Sequence, residues 1–234
     1  MKVKIYGVCG ITMKKLSFGV ILTLTLIFAG CAAHTSLEPL GRGNMNANLS
    51  LGGPIVAAFN THIPIPYATV GMSYGLNEKM NIDGSLHLTS LPYRIFGLEL
   101  GASYFPVLNE GLIPTVGIHP EVLTFISLKP DVESRMRVYP SLSASAAWHL
   151  GSDLIYTGFD YTFPLTSSDY DTDAPKFVLS PFFGYRTDLG KSLRLTTEVK
   201  WQGVNVRSDQ LAADYIKPGG HGAVGILFAI ERSF

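Results

Sequence analysis

If this chain performs chemistry, a dozen polar side chains would carry it: Asp83, His87, Glu99, His119, His149, Asp160, Arg186, Arg194, Glu198, Lys200, His221 and Glu231. They recur at alternate positions inside otherwise apolar stretches. His87 has the side chain of a general base, and Glu99 or Asp83 is the type of group that would orient its ring. Ser85 lies two residues away, but nothing else marks it as a nucleophile. The four histidines at 87, 119, 149 and 221 stand on four separate stretches, without the spacing that a metal site takes. No catalytic residue is assigned, and nothing here asks for a cofactor. Charges withdrawn from water must pair, so the simpler reading is a structural network of Arg186, Arg194, Glu231, Asp83, His87, Glu99, Glu198 and Lys200. Arg186, Arg194 and Glu231 are expected to share one level of it.

A second candidate is the run Ser168-Asp169-Tyr170-Asp171-Thr172-Asp173, with carboxylates at alternate positions. It resembles the opening of an EF-hand calcium loop. Ala174 stands where that loop needs glycine, and Ser180 where it needs a bidentate glutamate. Asp169, Asp171 and Asp173 are therefore secondary candidates for weak divalent-metal binding, with a solvated turn as the alternative.

The elements that must position these groups follow from period two. Met80, Ile82, Leu86 and Leu88 interleave with Asn81, Asp83, Ser85 and His87; Leu193, Leu195, Val199 and Trp201 interleave with Arg194, Thr196, Glu198 and Lys200. One apolar and one polar face means β-strands. Ten are expected, over 43–53, 66–75, 79–90, 95–106, 113–127, 135–150, 154–164, 176–187, 192–202 and 220–234, with eight as the alternative count. Short turns at 75–78, 108–111, 151–153 and 188–190 alternate with longer connections. Segments of about ten alternating residues, joined by short turns on one side and long loops on the other, are the pattern of a transmembrane barrel. The fold class is all-β: an antiparallel up-and-down barrel occupying 43–234. Pro120, Pro140 and Pro181 inside proposed strands predict bulges or strand ends.

Composition agrees. Charged residues are 15% of the 234, below the quarter or so of soluble domains, and the formal net charge is zero, which leaves no footprint for nucleic acid. Alternation alone does not say which face meets solvent. Too little charge for a soluble exterior, and aromatics near strand ends on the apolar face (Tyr74, Tyr104, Trp148, Tyr185, Trp201), place the apolar face in lipid.

Lys14 and Lys15 precede an apolar run to Gly30, the form of a signal peptide over 1–30, with Met13 as an alternative start. Phe28-Ala29-Gly30-Cys31 resembles the lipobox of bacterial lipoproteins. That resemblance implies lipidation of Cys31 (diacylglycerol and palmitate-type acyl groups), handling by lipoprotein export, and a lipidated linker over 31–42; Ala32 after the cysteine implies outer-membrane sorting. Ordinary cleavage near Cys31-Ala32-Ala33 is the alternative. The alternating end, closed by Phe234, resembles the signal read by the barrel-assembly machinery of the outer membrane. Both termini are then expected in the periplasm.

The leading functional expectation is a non-enzymatic, monomeric outer-membrane lipoprotein barrel that acts through its extracellular loops, in surface binding or envelope integrity, with membrane lipid and lipopolysaccharide as neighbours. A narrow, porin-like channel or carrier for small or apolar molecules is the second class. Tyr139, Tyr156, Arg186 and Arg194 would obstruct it, while Gly97, Gly101, Gly117, Gly158 and Gly184 would give it room. A lipid-modifying enzyme built on His87 is the third, without the motifs of the known barrel proteases or lipid A deacylases.

Overall fold

A computed structural model describes residues 32–58, 61–129, 136–165, 175–208 and 215–234. Period two in the sequence becomes long antiparallel strands: β1 (Met45–Ala58), β2 (Thr61–Pro64), β3 (Tyr67–Asn77), β4 (Met80–His87), β5 (Ile95–Val107), β6 (Thr115–Ser127), β7 (Met136–Leu150), β8 (Asp153–Thr162), β9 (Val178–Asp188), β10 (Leu193–Arg207) and β11 (His221–Ser233). Neighbours pair in sequence order, and β11 pairs back onto β1, from Asn46↔Ser233 to Pro54↔Gly225. The seam leaves no free edge, which a sheet in hydrocarbon requires. Ten strands form the closed barrel. β2 is a short extra strand that folds back on the overhanging end of β1.

The alternation sorts side chains as the sequence implies. Leu49, Leu51, Met72, Leu100, Phe159, Phe183, Phe228 and Ile230 are exposed on the outer face. Tyr74, Tyr104 and Tyr185 are exposed there too, near the strand ends joined by short turns. The inner face carries Asn46, Ser50, Thr69, Asn81, Ser103, Ser143, Thr196 and Glu198, all buried.

The three prolines cause no bulge. Pro120 keeps its register with β7, and the β5 register is the same on either side of it (Gly101↔Glu121, Tyr104↔Ile118). Pro140 pairs with β6 one residue beyond the last β7–β8 pair, and Pro181 pairs with β8 one residue beyond the last β9–β10 pair. A missing N–H is harmless where the neighbouring ladder has ended. The register shifts fall instead between Gly75 and Asn77, Tyr104 and Val107, and Gln202 and Arg207.

The larger departure from expectation is residues 32–42. Read from sequence as a linker leading up to the barrel, they run inside it. A tight turn at Gly41 and Gly43, with φ of 77° and 85°, reverses the chain into β1. Asn44 clamps it by donating to the Leu40 carbonyl (2.6 Å). Gly75 lies so close that a Cβ there would overlap the Gly41 carbonyl. From this turn the segment rises into the lumen as a plug.

Candidate functional site

The plug is held from several strands. At the short-turn end the Leu40 N–H donates to Asn81 Oδ1 (3.0 Å), and Asn81 Nδ2 donates to Ser36 Oγ and to the Glu38 carbonyl (3.0 Å each). Glu38 pairs with Arg186 of β9 and His149 of β7. Burial alone would raise the Glu38 carboxyl; the Arg186 guanidinium, with His149 beside it, outweighs that and holds it below the usual carboxylate range. Leu37 is fully buried against Ala147, Leu154, Tyr156 and Phe182.

Higher in the lumen His34 lies flat on Phe182, ring centroids 3.9 Å apart. Its Nδ1 is 2.9 Å from Glu198 and its Nε2 3.0 Å from Asp160, while its backbone N–H donates to Glu198 (3.0 Å). Lys200 Nζ completes the cluster, 2.9 Å from Asp160 and 3.4 Å from Glu198. Burial alone would lower the imidazole; the Glu198 and Asp160 carboxylates outweigh it, against the opposing Lys200, and hold His34 up at about 10. His34 is thus an imidazolium at neutral pH, and two cations face two carboxylates. Tyr156 donates its hydroxyl to Glu198 (2.9 Å), the Ala33 N–H donates to Ser50 (3.1 Å), and Lys200 donates to the Ala32 carbonyl (3.4 Å).

The sequence therefore identified Glu198, Lys200 and Arg186 as inward charges but assigned their partners within the strands. Arg186 pairs with Glu38, and Arg194 with Asp188 at 3.5 Å. Glu231 sits opposite Arg194 in register and accepts a hydrogen bond from Thr196 (3.2 Å), and among the described residues no cation lies within 4.0 Å of it. Arg186, Arg194 and Glu231 thus lie near one level, as expected, without an ion pair joining Glu231 to either arginine. His34, Leu37 and Glu38 were missed because they lie outside any alternating stretch. Their one sequence signal is a short mixed segment between a signal-type core and the first strand.

His87 accepts or donates a hydrogen bond with Tyr67 and lies 3.5 Å from Glu99, so the Glu99 partnership is found. The ring is buried, with Phe125 edge-on at 5.2 Å. Asp83 accepts instead from Ser103 (2.7 Å). The glycines expected to open the bore are filled by their neighbours. A Cβ on Gly184 would stand 2.2 Å from the Tyr156 ring, on Gly158 2.5 Å from Phe182, and on Gly97 2.7 Å from Phe125. Cys31, Asp169, Asp171 and Asp173 lie outside the described residues.

Among the described residues, a vestibule and a deeper cavity lie beside the plug. A vestibule of about 700 Å³ opens at the short-turn end, between Glu38, His149, Arg186 and Arg194. A cavity of about 90 Å³ lies deeper, between Ala32–Ser36 and the wall of β3–β6. Thr35 borders both.

No family model matches the chain, and no curated protein matches it. Solved structures similar to it include the translocator domain of autotransporter NalP from Neisseria meningitidis (9% identity, 94% of this chain and 95% of that one, TM-score 0.43). An outer membrane channel from Pseudomonas putida F1 is 11% identical over 86% of this chain and 99% of that one, with TM-score 0.47. The outer membrane protein OprG from Pseudomonas aeruginosa is 9% identical over 84% and 99%, with TM-score 0.32.

Proposed function

We propose that this protein is an outer-membrane barrel, closed by its own N-terminal segment, that works through the loops at the rim opposite its termini. The observation that carries this reading is the seated plug. A lumen crossed by Leu37 and locked by His34, Glu198, Asp160 and Lys200 offers solutes no wide bore. The opposite rim supports it. The overhanging end of β1 pairs with β2 and bridges Tyr215 of the last loop through Val56, so the loops there are knit together. A hollow of about 490 Å³ beside them is lined by Arg207, Lys217 and His221, the side chains that lipopolysaccharide phosphates would meet. In this proposal both termini are periplasmic and the protein is a monomer.

Lipidation of Cys31 belongs to the proposal with a condition. Ala32 is bonded to Lys200, seven residues in from the short-turn end of β10. That is roughly 15–20 Å inside the rim after strand tilt. A diacylglycerol on the preceding residue reaches the inner leaflet only if the plug is withdrawn. Labelled palmitate lost on Cys31→Ser would identify the withdrawn form, and absence of label the seated one.

Planar-bilayer recording tests the central claim. The intact barrel is expected to give no steady steps, and deletion of residues 32–40 to give discrete conductance. Steady steps from the intact protein would favour the narrow-channel reading, to which the vestibule and the deeper cavity already lend an interrupted path. Protease added to whole cells is expected to cut the loops over 166–173 or 207–217 and to spare Asn77 and Asp188; the reverse would invert the proposed orientation.

A further inference from the structure

His34 sits on the lumen wall as a ligand sits in a site. Its ring and polar partners come from three neighbouring strands: Asp160 of β8 at Nε2, Phe182 of β9 under the ring, and Glu198 of β10 at Nδ1. The wall holds these groups in place without the plug. Phe182 stands opposite Gly158 in the β8–β9 ladder and Tyr156 opposite Gly184. A Cβ on either glycine would overlap the facing ring, so both rings lie across bare backbone. Tyr156 donates to Glu198 (2.9 Å), and Lys200 Nζ stands 2.9 Å from Asp160 and 3.4 Å from Glu198, contacts made entirely within the wall. An aromatic face flanked by two carboxylates is therefore built before His34 arrives. It is also one positive charge short. Among the described residues Lys200 is the other cation within 4.0 Å of Asp160 or Glu198, so without His34 two buried carboxylates share one ammonium. A carboxylate left uncompensated away from water is costly.

We propose that this wall is a binding site for a small planar, delocalised cation of guanidinium or imidazolium type, and that His34 is its tethered stand-in. Such a cation lays its face on Phe182 and directs N–H donors from opposite edges to Asp160 and Glu198, as the His34 ring does. A compact ammonium has no flat face to stack. The deeper cavity adjoins the site, since His34, Asp160 and Lys200 border it, and Thr35 borders both that cavity and the vestibule. Ligand and plug compete for one place, so the ligand favours the plug-withdrawn form. The proposal rests on the plugged-lumen reading above.

Equilibrium dialysis of the detergent-solubilised, full-length barrel with radiolabelled methylguanidinium tests it, wild type beside His34→Ala. His34→Ala is expected to show one saturable site per barrel. Wild type should bind roughly tenfold more weakly or worse, because its own imidazolium must first leave. In the His34→Ala background Glu198→Gln should weaken binding roughly tenfold, as loss of one charge-assisted hydrogen bond does. Phe182→Leu should weaken it roughly threefold, as loss of a cation–π contact does. Each variant is scored on barrels that keep the faster unboiled gel mobility of the folded form. No saturable binding by folded His34→Ala, equally tight binding by wild type, or equal competition by methylammonium would overturn the site. Planar-bilayer recording needs no variant: methylguanidinium as the bath cation should bring discrete steps from the unmutated protein, and methylammonium none. Closed recordings in both, or the same steps in both, would overturn the competition. Steps in sodium alone would count against the plugged lumen and not against the site, which the dialysis decides.

Discussion

The two walls of the lumen have the same kind of sequence and different chemistry. Toward β8–β10 every inward charge has a partner: Asp160, Glu198 and Lys200 close around His34, and Arg186 around Glu38. Toward β4–β6 Asp83, Glu99 and Glu121 face the cavity, and among the described residues the one imidazole within 4.0 Å of any of them is His87, beside Glu99. Strand alternation fixes which residues point inward on both walls and says nothing about neutralisation. The difference comes from a short segment whose charged side chains, His34 and Glu38, turn to one wall, while β4 meets it through the neutral Asn81. Neutralisation on the paired wall is thus shared between strand residues such as Lys200 and the plug residues His34 and Glu38.

Breaking the paired wall should cost most. Lys200→Met leaves Asp160 and Glu198 with His34 alone, and loss of one member of a buried ion cluster costs about 3–5 kcal/mol; calorimetry or denaturant melts should show it. Leu37→Ala removes the one large apolar anchor of the plug, for about 2–5 kcal/mol of seating. It should bring conductance while the barrel itself stays folded. Gly184→Ala drives a methyl into Tyr156 and should cost about 1–3 kcal/mol. Tyr156→Leu in the same chain should return part of that loss, and a double-mutant cycle reads the coupling.

Titration sharpens the comparison more gently. His34 is raised in the folded protein, so its contribution is complete below its ordinary 6.5 and drains away as the pH climbs toward about 10. Glu38 is lowered, so its contribution is complete above its ordinary 4.5 and is lost as the pH falls through its depressed value. Thermal melts at pH 6, 8 and 10 should fall in that order, and His34→Gln should flatten the trend. The smallest effect is expected on the unpaired wall: Glu121→Gln removes like-charge repulsion and should change melting by no more than about 0.5 kcal/mol, or raise it. A large loss there would mean that the two walls are less different than their contacts imply.

Much of this was legible in the residues. Ten strands lie close to where period two puts them, and the inward positions of Asp83, His87, Glu99, Arg186, Glu198 and Lys200 follow from it. What alternation does not encode is contact across the bore. Glu198 and Lys200 were visible as neighbours on one face; His34, more than 160 residues earlier, was not. The Glu38 partner of Arg186 was hidden for the same reason, since Glu38 has no strand to announce it. The prolines misled because a strand's two ladders end at different residues, and the sequence does not show which ladder a missing N–H would have joined.

The plug also dictates an order of assembly. His34 finds its carboxylate partners on strands that emerge 126–164 residues later, yet the wall closes through β1 and β11, the first and last barrel strands. A bore already packed with Tyr139, Tyr156 and Phe182 is too crowded for a charged segment to thread from one end. His34 and Glu38 must therefore settle against β8–β10 while the sheet is still an open, curling ribbon, and the β1–β11 seam then zips over them. The last strands then curve around the N-terminal segment, and zipping is the step that encloses it.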